Sequence, residues 1–291
     1  MTLSIIICSP SAKSKGLDSL LQNIEDTITA HPHQQSFDHE VVIIENPKRK
    51  YNLFEAYNKG VEKAKGNILC FMHDDIEYLD TGWGERVTEL FSSNPSIGAC
   101  SVAGCQILRK SPSLFGISKY NAINIQKHDG QWLDTCNEPV PLATFDGLWF
   151  CISRKCFETI AFDQDTFSGF HFYDMDTAVQ LHAAGYSIMF IPHIPIRHNG
   201  KGATDVEWLT NSYKFYRKNK HLLPIITTEA PPSPDEMLGY EQDSIYTSLR
   251  LILRYRQWKL LKTWWKMASE VQGIPQPAAS IKVLKRHFSK K

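Results

Sequence analysis

Residues 67–75, NILCFMHDD, place two carboxylates directly after a short apolar run. The run Asn67–Met72 predicts a buried strand, because unbroken apolar segments of this length are typical of strands covered on both faces. Asp74 and Asp75 would repel each other at the end of such a strand, so a cation is expected to compensate them. A divalent ion that also binds a substrate diphosphate fits, since Mg²⁺ and Mn²⁺ accept one or two carboxylates together with phosphate oxygens. The alternative is an ordinary loop cap or turn.

Similar apolar runs alternate with helical patterns on both sides of this segment. The pattern predicts further strands at 3–8, 40–45, 97–102, 148–153 and 187–192. It predicts helices at 17–29, 52–65, 81–93 and 173–184, and a turn at Asp129-Gly130 that closes a hairpin. Strands that alternate with helices are typical of an α/β fold, here with a mostly parallel central sheet flanked by helices.

The ends of the first two strands carry further polar residues. Ser9 and Pro10 follow the first strand, and Glu45 and Asn46 close the second. In an open parallel sheet, ligands bind at the carboxyl ends of the strands. No strand is followed by G-x-G-x-x-G or by G-x-x-x-x-G-K-[ST], which argues against a dinucleotide site and against a P-loop.

A second acidic cluster opens the helix at 173–184. Asp174 and Asp176 lie in its first turn, where a carboxylate either caps the helix and complements its dipole or accepts a proton as a general base. His198 follows a later strand and is either a metal ligand or an ordinary histidine. Neither feature alone decides between its alternatives.

The composition fits a folded globular chain. Of the 291 residues, 42% are apolar and 22% are charged, which is ordinary usage for a soluble domain. No apolar run approaches the roughly 18 residues of a membrane span, and the first 16 residues lack the pattern of a signal peptide. The seven cysteines are scattered, so we expect reduced thiols and a cytoplasmic location.

The charge is distributed unevenly along the chain. Residues 240–291 hold 11 Lys or Arg against 3 Asp or Glu, whereas residues 1–239 hold 21 against 28. The stretch 243–268 predicts one long helix with an apolar face, a Lys- and Arg-rich face and several tryptophans. Such a helix either lies on an anionic membrane surface, which in the cell would be the inner face of the membrane, or packs on the rest of the chain or on a second subunit. A nucleic-acid partner is not expected, because the remaining chain is acidic.

Together these features resemble the GT-A glycosyltransferases of the family 2 type, over about residues 1–220. The segment from Tyr57 to Asn67 resembles the one that precedes the metal motif of that family, and His73-Asp74-Asp75 stands where the family has D-x-D. Residues 173–176, YDMD, resemble its E-D-x-D segment, so His73 and Tyr173 stand in place of an Asp and a Glu. GACSVAG (98–104), GFHFYDMD (169–176) and IRHNGKG (196–202) resemble the branch named after the streptomycin-biosynthesis protein StrF.

The resemblance implies a metal-dependent, inverting transfer of a sugar from a nucleotide-diphosphate donor to a saccharide or a lipid-linked saccharide. Asp75 and His198 would hold Mn²⁺ or Mg²⁺, and Asp174 would be the general base. The donor would contact Ser9, Pro10, Glu45, Asn46, Asn58 and Asp74. The acceptor would contact Trp132, Trp149, Phe170, Tyr173 and Asp176. The catalytic domain would span 1–225, followed by a Pro-rich hinge at 226–239 and a basic helical extension at 240–291.

Two other functions stay open. A sugar-nucleotide pyrophosphorylase uses a related sheet, but it normally has a Gly-rich basic loop after its first strand, and residues 9–16 hold only two lysines and one glycine. A non-catalytic carbohydrate-binding protein with a decayed site is the other alternative, and the retained acids argue against it. Assembly into a homo-oligomer is compatible with the sequence.

Overall fold

The computed structural model describes residues 1–11, 15–31, 37–111, 117–200 and 204–273. Parts of three expected features lie outside these residues. They are the loop after the first strand at 12–14, the end of the IRHNGKG motif at 201–202 and the end of the basic extension at 274–291.

Within the described residues the chain forms fourteen strands and seven α-helices. The strands are β1 (Leu3–Ser9), β2 (His39–Glu45), β3 (Ile68–Met72), β4 (Ile76–Tyr78), β5 (Ile97–Ser101), β6 (Ala103–Cys105), β7 (Ile107–Leu108), β8 (Asn121–Lys127), β9 (Trp132–Asp134), β10 (Thr144–Phe145), β11 (Trp149–Ser153), β12 (Ser187–Phe190), β13 (Ile196–His198) and β14 (Ile225–Ile226). The helices are α1 (Lys15–Thr27), α2 (Leu53–Lys63), α3 (Trp83–Ser93), α4 (Tyr173–Ala183), α5 (Val206–Asn219), α6 (Pro234–Arg254) and α7 (Leu261–Gln272). All elements predicted between residues 3 and 192 are confirmed, with ends that differ by at most two residues.

The start of α2 shows how the sequence fixes a helix end. Asn52 Oδ1 accepts the Glu55 N–H at 2.9 Å, and the Glu55 carboxylate accepts the Asn52 N–H at 2.9 Å. This reciprocal capping box satisfies two N–H groups that the first turn leaves without intrahelical partners. The helix therefore begins at the residue after Asn52, as the sequence predicts.

The central sheet has six strands in the order β12-β5-β11-β3-β1-β2. β1 pairs in parallel with β2 and β3, and β12 pairs in parallel with β5. β11 runs antiparallel to both of its neighbours, so the sheet is mixed. Among the described residues no helix crosses between β5 and β11, and a helical crossover is the usual way to keep neighbouring strands parallel.

A second sheet covers the end of β3. Its order is β10-β6-β8-β13-β4, with β9 paired to β8. The antiparallel pair β8–β9 is the hairpin predicted at Asp129-Gly130. Because β4 begins one short turn after β3, this sheet stands beside the carboxylates that end β3.

The core lies on both faces of the central sheet. Ile6 packs in a buried cluster with Phe54 of α2, while Ile5 and Ile7 pack in the opposite cluster with Leu20 of α1. Successive side chains of a strand point to opposite faces, so a strand that is apolar at every position needs a cover on each side. The uninterrupted apolar runs of the sequence thus fix a three-layer arrangement.

The prediction of one long helix at 243–268 is wrong. α6 ends at Arg254, Arg256 adopts a left-handed φ of 53°, and α7 begins at Leu261. The Trp264 Nε1–H of α7 donates to the Ile245 carbonyl of α6 at 2.7 Å, so the two helices fold back on each other. A single helix of this length would be roughly 39 Å long, too long to bury its whole apolar face on one neighbour.

The apolar residues of this helix pair bury themselves on α5. The buried cluster contains Leu209, Tyr213, Tyr216, Ile245, Leu251, Ile252, Trp264, Met267 and Ala268. Of the two alternatives for the apolar face, the structure therefore shows packing on the rest of the chain. No helix within the described ranges is both long and apolar enough to cross a membrane.

Candidate active site

His198 reaches Asp75 through the pairing of β13 with β4. The two strands are antiparallel and place His198 opposite Ile76, the residue that follows Asp75. His198 Nε2 lies 3.5 Å from Asp75 Oδ1. His73, at the end of β3, approaches the same oxygen with its Nδ1 at 3.9 Å. Two imidazoles and one carboxylate from two distant segments thus converge, and we name His73, Asp75 and His198 the His-Asp-His cluster.

The His-Asp-His cluster fits a divalent metal ion. One ligand atom of each residue lies within 4.8 Å of the other two. Asp75 Oδ1 is buried and has no hydrogen-bond partner among the described residues, so its lone pairs are available. A side chain at Gly200 would overlap the Asp75 carboxylate and come within 3.0 Å of His198 Nε2, so a glycine keeps the adjacent space open. Mn²⁺ and other first-row divalent ions accept two imidazoles and a carboxylate.

Two of the three residues in the cluster have protonation states that suit metal binding. The interaction with His198 lowers the pKa of Asp75, which keeps this carboxylate ionised. Asp75 in turn raises the pKa of His198, so a metal ion must displace a proton there. Burial lowers the pKa of His73, so that imidazole is neutral at pH 7 and has one nitrogen lone pair to offer.

Tyr173 determines which nitrogen of His73 carries the proton. Tyr173 Oη donates to the Gly147 carbonyl at 3.0 Å and lies 2.9 Å from His73 Nε2. A hydroxyl has one hydrogen, so we assign His73 Nε2–H as the donor to Tyr173 Oη. The lone pair is then on Nδ1, the nitrogen that faces Asp75. Burial raises the pKa of Tyr173 well above its usual value, which keeps the hydroxyl protonated.

Asp74 faces the other side of the site, where β1 and β2 end. Ser9 Oγ donates to Asp74 Oδ2 at 2.6 Å. The Asn46 N–H donates to the Ser9 carbonyl at 2.8 Å, and the Asn46 side chain forms two hydrogen bonds with the backbone of Tyr51. Pro10 and Glu45 are exposed at the same edge, Glu45 opposite Ser9 in the register of β1 and β2. The structure thus brings together five of the six residues predicted to bind a donor.

Asp174 lines a cavity of about 470 Å³ together with His73, Asp146, Phe170 and Tyr173. Its carboxylate is held by the backbone, since Oδ2 accepts the Gly147 N–H at 3.0 Å and Oδ1 accepts the Met175 N–H at 2.8 Å. The pKa of Asp174 is raised to about 7, mainly by burial and to a smaller extent by the charge of Asp146. A carboxyl group with a pKa near the working pH is suited to accept a proton.

Asp146 is a site residue that the sequence did not reveal. It lines the same cavity as Asp174 and also a second cavity of about 460 Å³ that borders His198 and Gly200. Its Oδ1 accepts the Leu148 N–H at 2.9 Å. Asp146 stands alone before a strand, in a segment without a recognisable pattern, and the only local sign of it is the Asp-Gly pair that turns into β11. His73 was likewise not recognised as a metal ligand, because it occupies the place of an acid in the motif.

The structure engages two of the predicted contact residues elsewhere. Asn58 forms hydrogen bonds with both backbone groups of Phe162 and with the Gln164 side chain, so it holds the loop at 162–164. The Asp176 carboxylate is 1% exposed and accepts hydrogen bonds from Gln180, Lys218 and Asn219. Asp176 therefore joins α4 to α5 and does not reach the cavity.

Of the four aromatic residues predicted to contact the acceptor, two line the cavity of Asp174 and two do not. Phe170 and Tyr173 line the cavity, and the Arg49 guanidinium lies 4.8 Å from the centre of the Phe170 ring. Trp149 is fully buried and its Nε1–H donates to Tyr78 Oη at 2.7 Å, so it is a core residue. Trp132 is exposed on β9, beside a different surface groove that contains Asp80 and His193. Neither tryptophan contacts the cavity of Asp174.

The family model of the glycosyltransferase-like family matches residues 23–219, more than half of the chain. No curated protein matches the chain significantly. Among solved structures, residues 1–349 of S. aureus TarS are similar with a TM-score of 0.54 and 9% identity, over 98% of this chain and 89% of that one.

A second similar structure is GalNAc-T7 with UDP, GalNAc and Mn²⁺, with a TM-score of 0.50 and 13% identity. This match covers 75% of the present chain, which spans only half of the GalNAc-T7 chain. At such identities the similarity concerns the fold, and it supports the GT-A architecture expected from the sequence.

Proposed function

Because the chain belongs to the glycosyltransferase-like family and is a glycosyltransferase, we propose that it moves a sugar from a nucleotide-diphosphate donor to a saccharide, with a divalent metal and with inversion at the anomeric carbon. The observation that carries this proposal is one shared cavity, which His73 of the His-Asp-His cluster and Asp174 both line. The His-Asp-His cluster, which would bind the leaving diphosphate through its metal, and Asp174, which would deprotonate the acceptor, then border the same cavity. We also propose the StrF-like branch, on the resemblance of the three motifs quoted above.

The donor lies along the ends of β1, β2 and β3 in this proposal. Asp74 offers carboxylate oxygens to the hydroxyl groups of a ribose or sugar, and the buried Ser9 hydroxyl, which donates to Asp74 at 2.6 Å, holds that carboxylate in place. Asn46 is 4% exposed and its hydrogen bonds to Tyr51 hold the loop after β2 in place, so it shapes the edge of the nucleotide site. Pro10 and Glu45 border that site from the exposed side.

The metal belongs to the His-Asp-His cluster. When bound there, Mn²⁺ or Mg²⁺ neutralises the charge that develops on the leaving diphosphate. The protein residues prepare the ligands: Tyr173 holds the His73 ring with Nδ1 toward Asp75, and burial keeps that ring neutral. Hydrogen bonds of this kind behind a metal ligand orient it and raise its basicity.

Asp174 is the general base of the proposed reaction. It accepts the proton of an acceptor hydroxyl while the oxygen of that hydroxyl bonds to the anomeric carbon and the bond from this carbon to the diphosphate breaks. Attack from the side opposite to the leaving group inverts the anomeric configuration. The backbone N–H groups of Gly147 and Met175 fix the carboxylate, and Phe170 offers an aromatic face to a sugar ring. The acceptor is a saccharide, either free or linked to a lipid.

The cysteines support a location in a reducing compartment. All seven are free, and thiols persist in the cytoplasm, whereas disulfides form in oxidising compartments. We therefore propose that the reaction takes place in the cytoplasm.

The test is release of a nucleoside diphosphate from a panel of UDP-, GDP- and dTDP-sugars, with Mn²⁺ and with EDTA. We expect Mn²⁺-dependent release from one of these donors, faster with an acceptor saccharide, and a product with inverted configuration by NMR. Formation of a nucleoside triphosphate from pyrophosphate and the donor would instead indicate a pyrophosphorylase. Donor binding with no turnover in the presence of any acceptor would indicate a carbohydrate-binding protein.

A further inference from the structure

The outer surface of α7 carries two exposed tryptophans. Trp258 stands in the short helical turn that leads into α7, and Trp265 lies in α7 itself. Trp258 is 57% exposed and Trp265 is 47% exposed. With Lys262 they occupy positions i, i+4 and i+7 of nearly continuous helical backbone, so they lie on one side. Lys259 and Lys266 are exposed alongside them, and we name these five residues the Trp-Lys face.

The buried side of α7 does not require these tryptophans. Trp264, Met267 and Ala268 already fill the contact with α5 and α6. Exposure of two large aromatic side chains leaves apolar area in contact with water that folding has not covered. The Trp-Lys face thus carries apolar area available to a partner.

The charge around this face is mostly positive. Residues 244–269 contain six Lys or Arg and no Asp or Glu. Lys266 Nζ lies 3.7 Å from Glu270, the nearest acid in sequence. On α6, Arg250 and Arg254 line a shallow cavity of about 240 Å³ together with Thr247 and Leu251. Lysines and arginines beside exposed tryptophans suit a surface that is apolar and anionic at once, which is the interface of an anionic membrane.

The turn between α6 and α7 also contacts a residue that lines the active-site cavity. Tyr255 Oη donates to the Thr204 carbonyl at 2.6 Å. Thr204 lines the cavity of Asp174, as does Trp208, which packs against the apolar cluster of α5, α6 and α7. The helix pair that carries the Trp-Lys face is therefore connected to the cavity wall through Thr204 and Trp208.

We propose that the Trp-Lys face docks on an anionic membrane and keeps the cavity at the lipid headgroups, so that the acceptor is a lipid-linked saccharide. The choice of acceptor rests on the proposed function, whereas the docking does not. The occupant is a membrane and not a polyanion in solution, because the two tryptophans add apolar area that a lipid interface covers and a fully hydrated polyanion does not.

The test is flotation of the full chain with vesicles of phosphatidylcholine alone or mixed equally with phosphatidylglycerol, at low and high salt and without substrate. We expect binding only to the anionic vesicles, weakened by salt. Lys259→Glu/Lys262→Glu should weaken binding by about 30-fold or more, given the contribution of each lysine near an anionic leaflet. Trp258→Ser/Trp265→Ser should weaken it by at least about tenfold through the lost apolar area.

The matched control is Lys63→Glu/Lys65→Glu, with the same change in charge at the far end of α2. We expect its binding to stay within about twofold of the unmodified chain. Equal weakening by both lysine pairs would overturn the proposal, because it would indicate attraction to the whole protein. No flotation of the unmodified chain, or a dimer in sedimentation that only the tryptophan variant dissociates, would also overturn it and indicate a contact between copies. Donor hydrolysis in solution is measured on the same variants and should be unchanged, so loss of docking and loss of the proposed function are distinguishable.

Discussion

The Tyr173 hydroxyl lies 2.9 Å from His73 Nε2, and it donates its one hydrogen to the Gly147 carbonyl. These are the two residues that depart from the D-x-D and E-D-x-D motifs. The structure makes the departures parts of one arrangement: a histidine stands in the place of the first acid, and a tyrosine holds that histidine with Nδ1 toward Asp75. A glycine at 147 is needed for it, since any side chain there would overlap the tyrosine hydroxyl.

Tyr173→Phe should weaken Mn²⁺ binding by about 10–100-fold, the usual effect of removing a hydrogen bond behind a metal ligand. The ring still packs against Phe54 and Tyr57, so the fold should survive. Titration calorimetry or electron paramagnetic resonance of Mn²⁺ measures the change without turnover. Tyr213→Phe is the matched control, because the described residues offer its buried hydroxyl no hydrogen-bond partner, and it should leave the affinity unchanged. Equal affinities of the Tyr173→Phe variant and the unmodified protein would contradict the arrangement.

Asp75→Ala should abolish both transfer and Mn²⁺ binding while the thermal transition stays close to that of the unmodified protein. The reason is that the contact of Asp75 with His198 is long, at 3.5 Å, and that the Asp75 side chain is 42% exposed, so its loss costs the fold little. Asp74→Ala is the comparison. It should lower the affinity for the nucleotide-sugar donor but leave Mn²⁺ binding intact, because Asp74 pairs with Ser9. Full turnover of the Asp75→Ala variant, or of the unmodified enzyme in EDTA, would remove the metal from the mechanism.

Asp174→Asn should lower turnover by about 10²–10⁴-fold, the usual contribution of a general base, and should cost about 1 kcal/mol of stability, because the amide can accept only one of the two backbone N–H groups that the carboxylate accepts. Asp176→Asn should do the reverse. It should destabilise the protein by about 2 kcal/mol, less than the loss of a fully buried ion-pair partner, because the Lys218 side chain is 30% exposed. Steady-state kinetics and denaturant unfolding of both variants separate the two effects. A large loss of turnover confined to Asp176→Asn would show that Asp176, and not Asp174, is the base.

Turnover should depend on pH through Asp174. The base acts only when it is ionised, and its pKa is raised to about 7. The rate should therefore be highest above pH 7 and fall about tenfold per unit below it. The Asp146 charge contributes to this shift, so in Asp146→Asn the inflection should move to lower pH whatever the absolute rate. A pH profile that is flat between 5 and 8 would not be compatible with Asp174 as the base.

The helices and strands, and the order of the polar residues at their ends, follow from local patterns in the sequence. Apolar runs such as 67–72 allow only buried strands, and Asn52 and Asp174 mark helix starts through local hydrogen bonds and charge. These signals act over one or two turns of chain, which is why they can be read from neighbouring residues. They fixed the α/β class and the edge that holds Ser9, Asn46 and Asp74.

Which distant residues meet depends on how the elements pack. The β4–β13 register joined His198 to Asp75, and the turn before β11 added Asp146 to the cavity. Packing also removed Asn58 and Asp176 from the site, since their polar groups satisfy buried contacts with 162–164 and with Lys218. The predicted single helix is divided because α7 folds back on α6, and both contribute to one apolar cluster with α5. Contacts between segments so far apart depend on how whole layers pack. The free energy of this packing is shared among many residues, so it leaves no local pattern in the sequence.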